Sequence, residues 1–325
     1  MRLLIAVDSI ITLDILLNEI AARSWPSGTE ARVLSVVEDD NVPPETWREE
    51  GYTVAGLRKE MQRRGEQITA MAVERLGKVG ISASVTVTRG NPSLLISFFA
   101  RKWTADLILI RSHNRTEFRN WMLGSVAKSV VENTPCSVEV IRASGKDHSI
   151  AGDSPLRILL ATDGSNTSIA AAEALAAENW PQNTEVKIVT VVDPVIYSLE
   201  EIGLCRDKAT KRAHVAIGDS LRALANAALK ITGEVIAGGV SRAIINRART
   251  WRADLIVVGT RERRGLKRLL FGSVSAAVAS RAHCSVRIIR GHNVSNNLVG
   301  SSRITSSPPA KASWPARDFV KRQAA

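Results

Sequence analysis

Two kinds of apolar pattern alternate along this chain. Short continuous apolar runs predict buried strands, and longer stretches with apolar residues every three or four positions predict helices. The pattern is clearest in the second half. Arg157–Thr162 is an apolar run that stops at Asp163-Gly164-Ser165, a turn leading into a helix. An alanine-rich helix over 166–178 follows, then an apolar strand at Glu185–Val192. Ala213, Ile217, Leu221, Leu224 and Ala228 fall at spacings of 4, 4, 3 and 4, one face of a helix. A strand at Gly233–Ala237, a helix at Ser241–Thr250, a strand at Leu255–Val258, a helix at Ser273–Arg281 and a strand at Ser285–Ile289 complete the series. The first half follows suit, with Leu57, Met61, Ile68, Met71 and Leu76 marking its long helix.

The halves are copies. Asp8-Ser9, Trp25-Pro26 and Ser35-Val36-Val37-Glu38 match Asp163-Gly164, Trp180-Pro181 and Thr190-Val191-Val192-Asp193 at an offset of 155. Further on the offset is 148. Trp103-Thr104-Ala105-Asp106-Leu107-Ile108 matches Trp251-Arg252-Ala253-Asp254-Leu255-Ile256, Gly124-Ser125-Val126 matches Gly272-Ser273-Val274, and Cys136-Ser137-Val138 matches Cys284-Ser285-Val286. One indel of seven residues between the second and third strands reconciles the two offsets. Continuous apolar strands alternating with helices imply an α/β fold, a doubly wound parallel five-stranded sheet in each copy with helices on both faces. The expected organisation is a first domain over 1–142, a linker over 143–155, a second domain over 156–290, and a basic tail over 291–325 in which the periodicity collapses.

Composition changes little in this picture. Aromatics are 4%, so Val, Ile, Leu and Ala must build the core. Cys136, Cys205 and Cys284 form no close pair, which argues against a disulfide scaffold and a zinc site. No stretch approaches the ~20 apolar residues of a membrane span, so a cytoplasmic location without membrane association is expected. The net charge of +12 is partly local, with Arg261, Arg263, Arg264, Lys267 and Arg268 in one cluster. Such clusters attract phosphates of any kind.

In an open parallel sheet, ligands bind beyond the carboxyl ends of the strands, at the switch point. After the fourth strand of the second copy comes Gly259-Thr260-Arg261-Glu262, then Gly265-Leu266-Lys267-Arg268-Leu269-Leu270-Phe271-Gly272-Ser273-Val274-Ser275. Gly259, lacking a Cβ, lets the backbone approach a ligand. Gly272-Ser273 opens a helix whose free N–H groups favour an anion. This segment resembles the signature of the universal stress protein family: glycine, two residues, glycine, nine residues, then Gly-Ser or Gly-Thr. The resemblance covers both copies.

That resemblance implies a regulatory stress-response protein with an adenine-nucleotide site, ATP with or without Mg²⁺. It places the site mainly in the second domain, on Asp163, Val191, Val258, Gly259, Arg261, Glu262, Gly272, Ser273, Val274 and Ser275. Glu262 stands where the family has its second glycine, which implies weaker binding. In the first copy Asp8, Val36 and Gly124-Ser125 are kept, while Arg111, Asn114 and Ala127 replace the first glycine, the second glycine and the final hydroxyl. Family members pair through their fifth strands, so the copies are expected to pack as an internal pseudo-dimer with Val138, Val140, Val286 and Ile288 near its axis, homo-oligomers being a further arrangement. Nothing in the residues resembles a Ser–His–Asp constellation or a paired carboxylate site. The alternatives are a slow ATPase or self-phosphorylating enzyme, and a scaffold with a basic surface for anions or nucleic acid.

Overall fold

The computed structural model describes residues 1–38, 53–112, 123–142, 155–193, 202–260 and 272–291, with side chains of the helix that begins at Ile202 described from Asp207 onward. Arg261, Glu262, the rest of the basic cluster, Asn114, linker residues 143–154 and tail residues 292–325 lie outside the described residues.

The first repeat runs β1 (Arg2–Val7), α1 (Ile10–Ala21), β2 (Glu30–Val37), α2 (Val54–Lys78), β3 (Ser82–Arg89), α3 (Pro92–Lys102), β4 (Leu107–Arg111), α4 (Ser125–Asn133) and β5 (Ser137–Ile141). The second runs β6 (Arg157–Ala161), α5 (Asn166–Ala176), β7 (Glu185–Val192), α6 (Ile202–Ala223), β8 (Lys230–Ala237), α7 (Val240–Trp251), β9 (Leu255–Gly259), α8 (Ser273–Arg281) and β10 (Ser285–Ile289).

The strands join in one ten-stranded sheet of order β3-β2-β1-β4-β5-β10-β9-β6-β7-β8. Every pairing is parallel except the central one, where β5 and β10 run antiparallel with Val286 opposite Val140, Arg287 opposite Glu139 and Ile288 opposite Val138. The two five-stranded units thus fuse through their fifth strands, as the pseudo-dimer requires.

Successive strand residues point to opposite faces, and both faces are filled. Leu4 and Ala6 of β1 and Leu159 of β6 lie in one apolar cluster with Ile96, Ala100, Val130, Ile244, Ala248 and Val278 of α3, α4, α7 and α8. Val138, Val140, Val286 and Ile288 belong to that same cluster, so on this face a single core runs through both repeats. Each such fully buried side chain contributes about 1.5–3 kcal/mol. On the opposite face the core is divided. Leu3 and Ile5 pack with α1 and α2, while Ile158 and Leu160 pack with α5 and α6. Glu139 and Arg287, both fully buried, point to this divided face.

Some boundaries differ from the sequence reading. In α2 the buried stripe is Gly65, Ile68, Thr69, Ala72 and Leu76, and Met71 is 40% exposed because its neighbour Ala72 holds the strand-facing position. The helix containing Ala213 and Ile217 ends at Ala223. Leu224 remains buried just past it, while Ala228 lies beyond the helix in the turn before β8. Among the described residues no helix is long and apolar enough to cross a membrane.

Candidate functional site

In the second repeat the chain leaves β6 towards β7 on one side, and β9 pairs with β6 on the other. The two connections diverge there, which makes the carboxyl ends of these strands the switch point, the place where an open parallel sheet forms its ligand crevice. Ala161 is level with Val189 of β7 and with Val258 of β9. Asp163, Val191 and Thr260 each lie two residues beyond these partners, at the carboxyl edge of the sheet.

Each sequence-derived position has a definite environment. Asp163 is exposed, and its Oδ1 accepts the Ser165 backbone N–H at 3.0 Å. Gly164 takes φ +75°, left-handed backbone that favours glycine. Ser165 then caps α5, its hydroxyl accepting the Ser168 N–H at 3.4 Å. Beneath this turn the hydroxyls of Thr162, Ser168 and Ser220 are linked by 3.1 Å hydrogen bonds. Val191 is half-buried and Val258 is buried, both packed in the shared core.

Gly259 ends β9. A Cβ there would stand 2.5 Å from the Thr167 carbonyl oxygen and 2.8 Å from the Ser168 nitrogen. The space that this glycine keeps open is therefore taken by the first turn of α5, a close helix–strand approach rather than clearance for a ligand.

Because β9 and β10 are parallel, α8 between them must start at the carboxyl edge, the same end as the crevice. Gly272 is its N-cap and supplies no side-chain hydrogen bond. The helix therefore opens with backbone donors that no cap satisfies. Ser273 is exposed at the first helical position, and Val274 is half-buried against the core. Ser275 is buried, and its hydroxyl donates to the Gly272 carbonyl at 3.0 Å.

The first repeat builds a different mouth. Ser9 caps α1 directly, accepting the Thr12 N–H at 3.2 Å, with no left-handed residue in the turn. Ile10 and Ile11 follow the cap, 52% and 65% exposed, where Asn166 and Thr167 follow the cap in the second repeat. Arg111 ends β4 half-buried, with its Nε enclosed and lacking a hydrogen-bond partner among the described residues. Gly124 and Ser125 open α4 as Gly272 and Ser273 open α8, also without a side-chain cap.

Cys136 and Cys284 are enclosed in the core, and burial pushes both thiols up to about 12, far from nucleophilic use. Among the described residues no group of three or more His, Cys, Asp or Glu is placed to hold a metal ion.

Comparison with known proteins gives a consistent answer. The model of the universal stress protein family matches residues 1–142 and again 156–290. A universal stress protein of Mycobacterium tuberculosis is 26% identical over 296 residues, covering 86% of this chain and 96% of its own length. A shorter universal stress protein of Methanocaldococcus jannaschii is 30% identical over 141 residues, 41% of this chain and 81% of its own length. Among solved structures, one of Archaeoglobus fulgidus covers 89% of this chain and 96% of its own length at a TM-score of 0.56 and 19% identity.

Proposed function

Because the chain belongs to the universal stress protein family, we propose that it is a regulatory stress-response protein whose second repeat binds an adenine nucleotide of the ATP type. The observation that carries this reading is the start of α8. Its uncapped first turn, opening on Gly272-Ser273, lies at the same sheet edge as the exposed carboxylate of Asp163. An uncapped helix N-terminus suits phosphate oxygens. A carboxylate is an acceptor that suits the amino group of a purine. The donor set therefore fits a nucleotide. Any Mg²⁺ would ride on the phosphates, since the described residues supply no ligand cluster for it.

Occupancy is expected in the second repeat. In the first, the half-buried Arg111 and the exposed Ile10 and Ile11 line the corresponding edge. Ser275 does not enter this argument, because its hydroxyl is already bonded to Gly272.

The test is the nucleotide released by acid from freshly purified protein, followed by calorimetry with ATP and Mg²⁺. One ATP per chain, weakened by Asp163→Ala and left unchanged by Asp8→Ala, supports the reading. No bound nucleotide and no heat of binding would refute it. ADP accumulating with time would replace a sensing role with a slow ATPase.

A further inference from the structure

The β5–β10 junction holds two classes of contact that respond differently to exchange of the repeats. The first class is symmetric. Arg142 and Arg290 are equivalent residues 148 positions apart. Arg142 crosses the junction and donates to the carbonyls of Ala279 and Cys284, the latter at 3.2 Å. Arg290 crosses the other way and donates to the Val131 carbonyl at 2.7 Å. Val131 and Ala279 are themselves equivalent, each in the last turn of α4 or α8. The hydroxyls of Ser285 and Ser137 accept the backbone N–H groups of Arg142 and Arg290 at 3.2 and 3.3 Å. Any two repeats brought together through their fifth strands would make these contacts.

The second class is antisymmetric. Glu139 and Arg287 are equivalent at the offset of 148, and Arg23 and Glu178 at the offset of 155; in both pairs the sign of charge is reversed. Arg23 binds Glu139 within the first repeat at 2.5 and 3.2 Å. Arg287 binds Glu178 within the second. Between the repeats, Arg287 Nε donates to Glu139 Oε2 at 2.7 Å, and these two residues are direct ladder partners. All four are buried. The guanidiniums of Arg23 and Arg287 also lie 5.4 and 5.5 Å from the centre of the Trp180 ring.

Pairing like with like would invert this. Two first repeats would set Glu139 against its own image, and two second repeats would set Arg287 against its own. Like charges directly opposite in a ladder are destabilising, and burial removes the water that would screen them. We propose that the quartet is a code for partner choice: the fifth strand of each repeat accepts a surface of the opposite polarity and rejects its own kind. The partner this surface fits is the other half of this chain, on the same chain or on a second copy. The symmetric arginine contacts supply adhesion, and the quartet supplies the choice.

The test uses the full chain. The double variant R23E/E139R gives the first repeat the polarity of the second, and E178R/R287E does the reverse. Each keeps two acids and two bases in the quartet and an oppositely charged pair within each repeat. Across the junction the 139/287 and 23/178 pairs become like-charged, and R23E additionally removes the ion pair of Arg23 with Glu19, a local loss that E178R/R287E does not share. Both double variants are expected to melt about 10 °C below the parent, the scale of a disrupted buried ion pair. Combining all four substitutions restores opposite charges across the junction and should recover at least half of that loss. Double variants that melt like the parent, or a fourfold variant no better than the doubles, would overturn the proposal. Should the doubles not accumulate as folded protein, the fourfold variant decides alone, supporting the code by folding near the parent and overturning it by failing to.

Discussion

Gly259 and Thr167 approach so closely that a Cβ on the glycine would lie 2.5 Å from the threonine's carbonyl oxygen. That contact joins the end of β9 to the first turn of α5. Backbone cannot yield as a flexible side chain does, so a single methyl group must displace the helix start. Gly259→Ala is expected to cost about 1–3 kcal/mol, the usual range for overpacking. A shift of the denaturant midpoint with unchanged slope checks it. A midpoint equal to the parent's would mean that the helix start is looser than its packing indicates.

The start of α8 permits a substitution that separates binding from folding. Ser273→Asp puts an acid in the first turn, where the helix dipole favours it by about 0.3–1 kcal/mol. Stability should hold or rise slightly. The same acid would repel phosphate, and ATP affinity should fall about tenfold or more, on the order of 1.4 kcal/mol. Ser125→Asp at the equivalent place in α4 should leave ATP binding unchanged. Calorimetry beside thermal melting reads both effects. Equal losses from the two variants would remove the assigned asymmetry between the repeats.

Acid should loosen the central junction. Burial alone would raise the Glu139 carboxyl, but the Arg23 and Arg287 guanidiniums overcome it and hold the group down to about 2 from an ordinary 4.5. A folded-state value below the unfolded one contributes stability that is complete above about 4.5 and disappears as pH falls towards 2. The contribution is on the order of 3 kcal/mol. Glu139→Gln should lose stability at neutral pH and show a flatter decline of melting temperature with acid. A slope identical to the parent's would show that other carboxylates govern acid unfolding.

The crossed arginines predict an effect at a distance from the substitution in sequence. Arg142→Ala removes one donor from the last turn of α8 and one from the Cys284 carbonyl just beyond it, and Arg290→Ala removes one from the last turn of α4. Each change should cost about 1.5–3 kcal/mol, as for hydrogen bonds from a charged group. Amide exchange should then quicken in the helix of the opposite repeat. Faster exchange confined to the substituted repeat would contradict the crossing.

The duplicated α/β pattern was legible in the sequence because rare strings such as Trp-Pro and Cys-Ser-Val recur in order. The pairing of fifth strands followed from the family resemblance, and the ladder places Val138, Val140, Val286 and Ile288 as expected. The charged quartet was missed, although its signal was available. Matching the repeats rewards identity, so Glu139 against Arg287 and Arg23 against Glu178 read as mismatches when the reversal of sign was the information. Gly259 shows another limit. A sequence reveals that a Cβ is absent, and only the fold reveals which backbone occupies the freed space. Ser275 shows the same limit, since the sequence sets it among the site residues and only the fold shows its hydroxyl bonded to the carbonyl of the N-cap Gly272, three residues back.

The unbroken ten-stranded sheet is assembled by one chain, and this bears on how such a protein can change over generations. In an assembly of identical subunits every inherited substitution appears at all equivalent places at once. Here it appears at one. Arg111 stands at the edge of β4 and Gly259 at the edge of β9, and neither repeat has to tolerate the residue that suits the other. Fusion therefore lets one half drift from, or specialise beyond, an ancestral task while its twin continues to perform it.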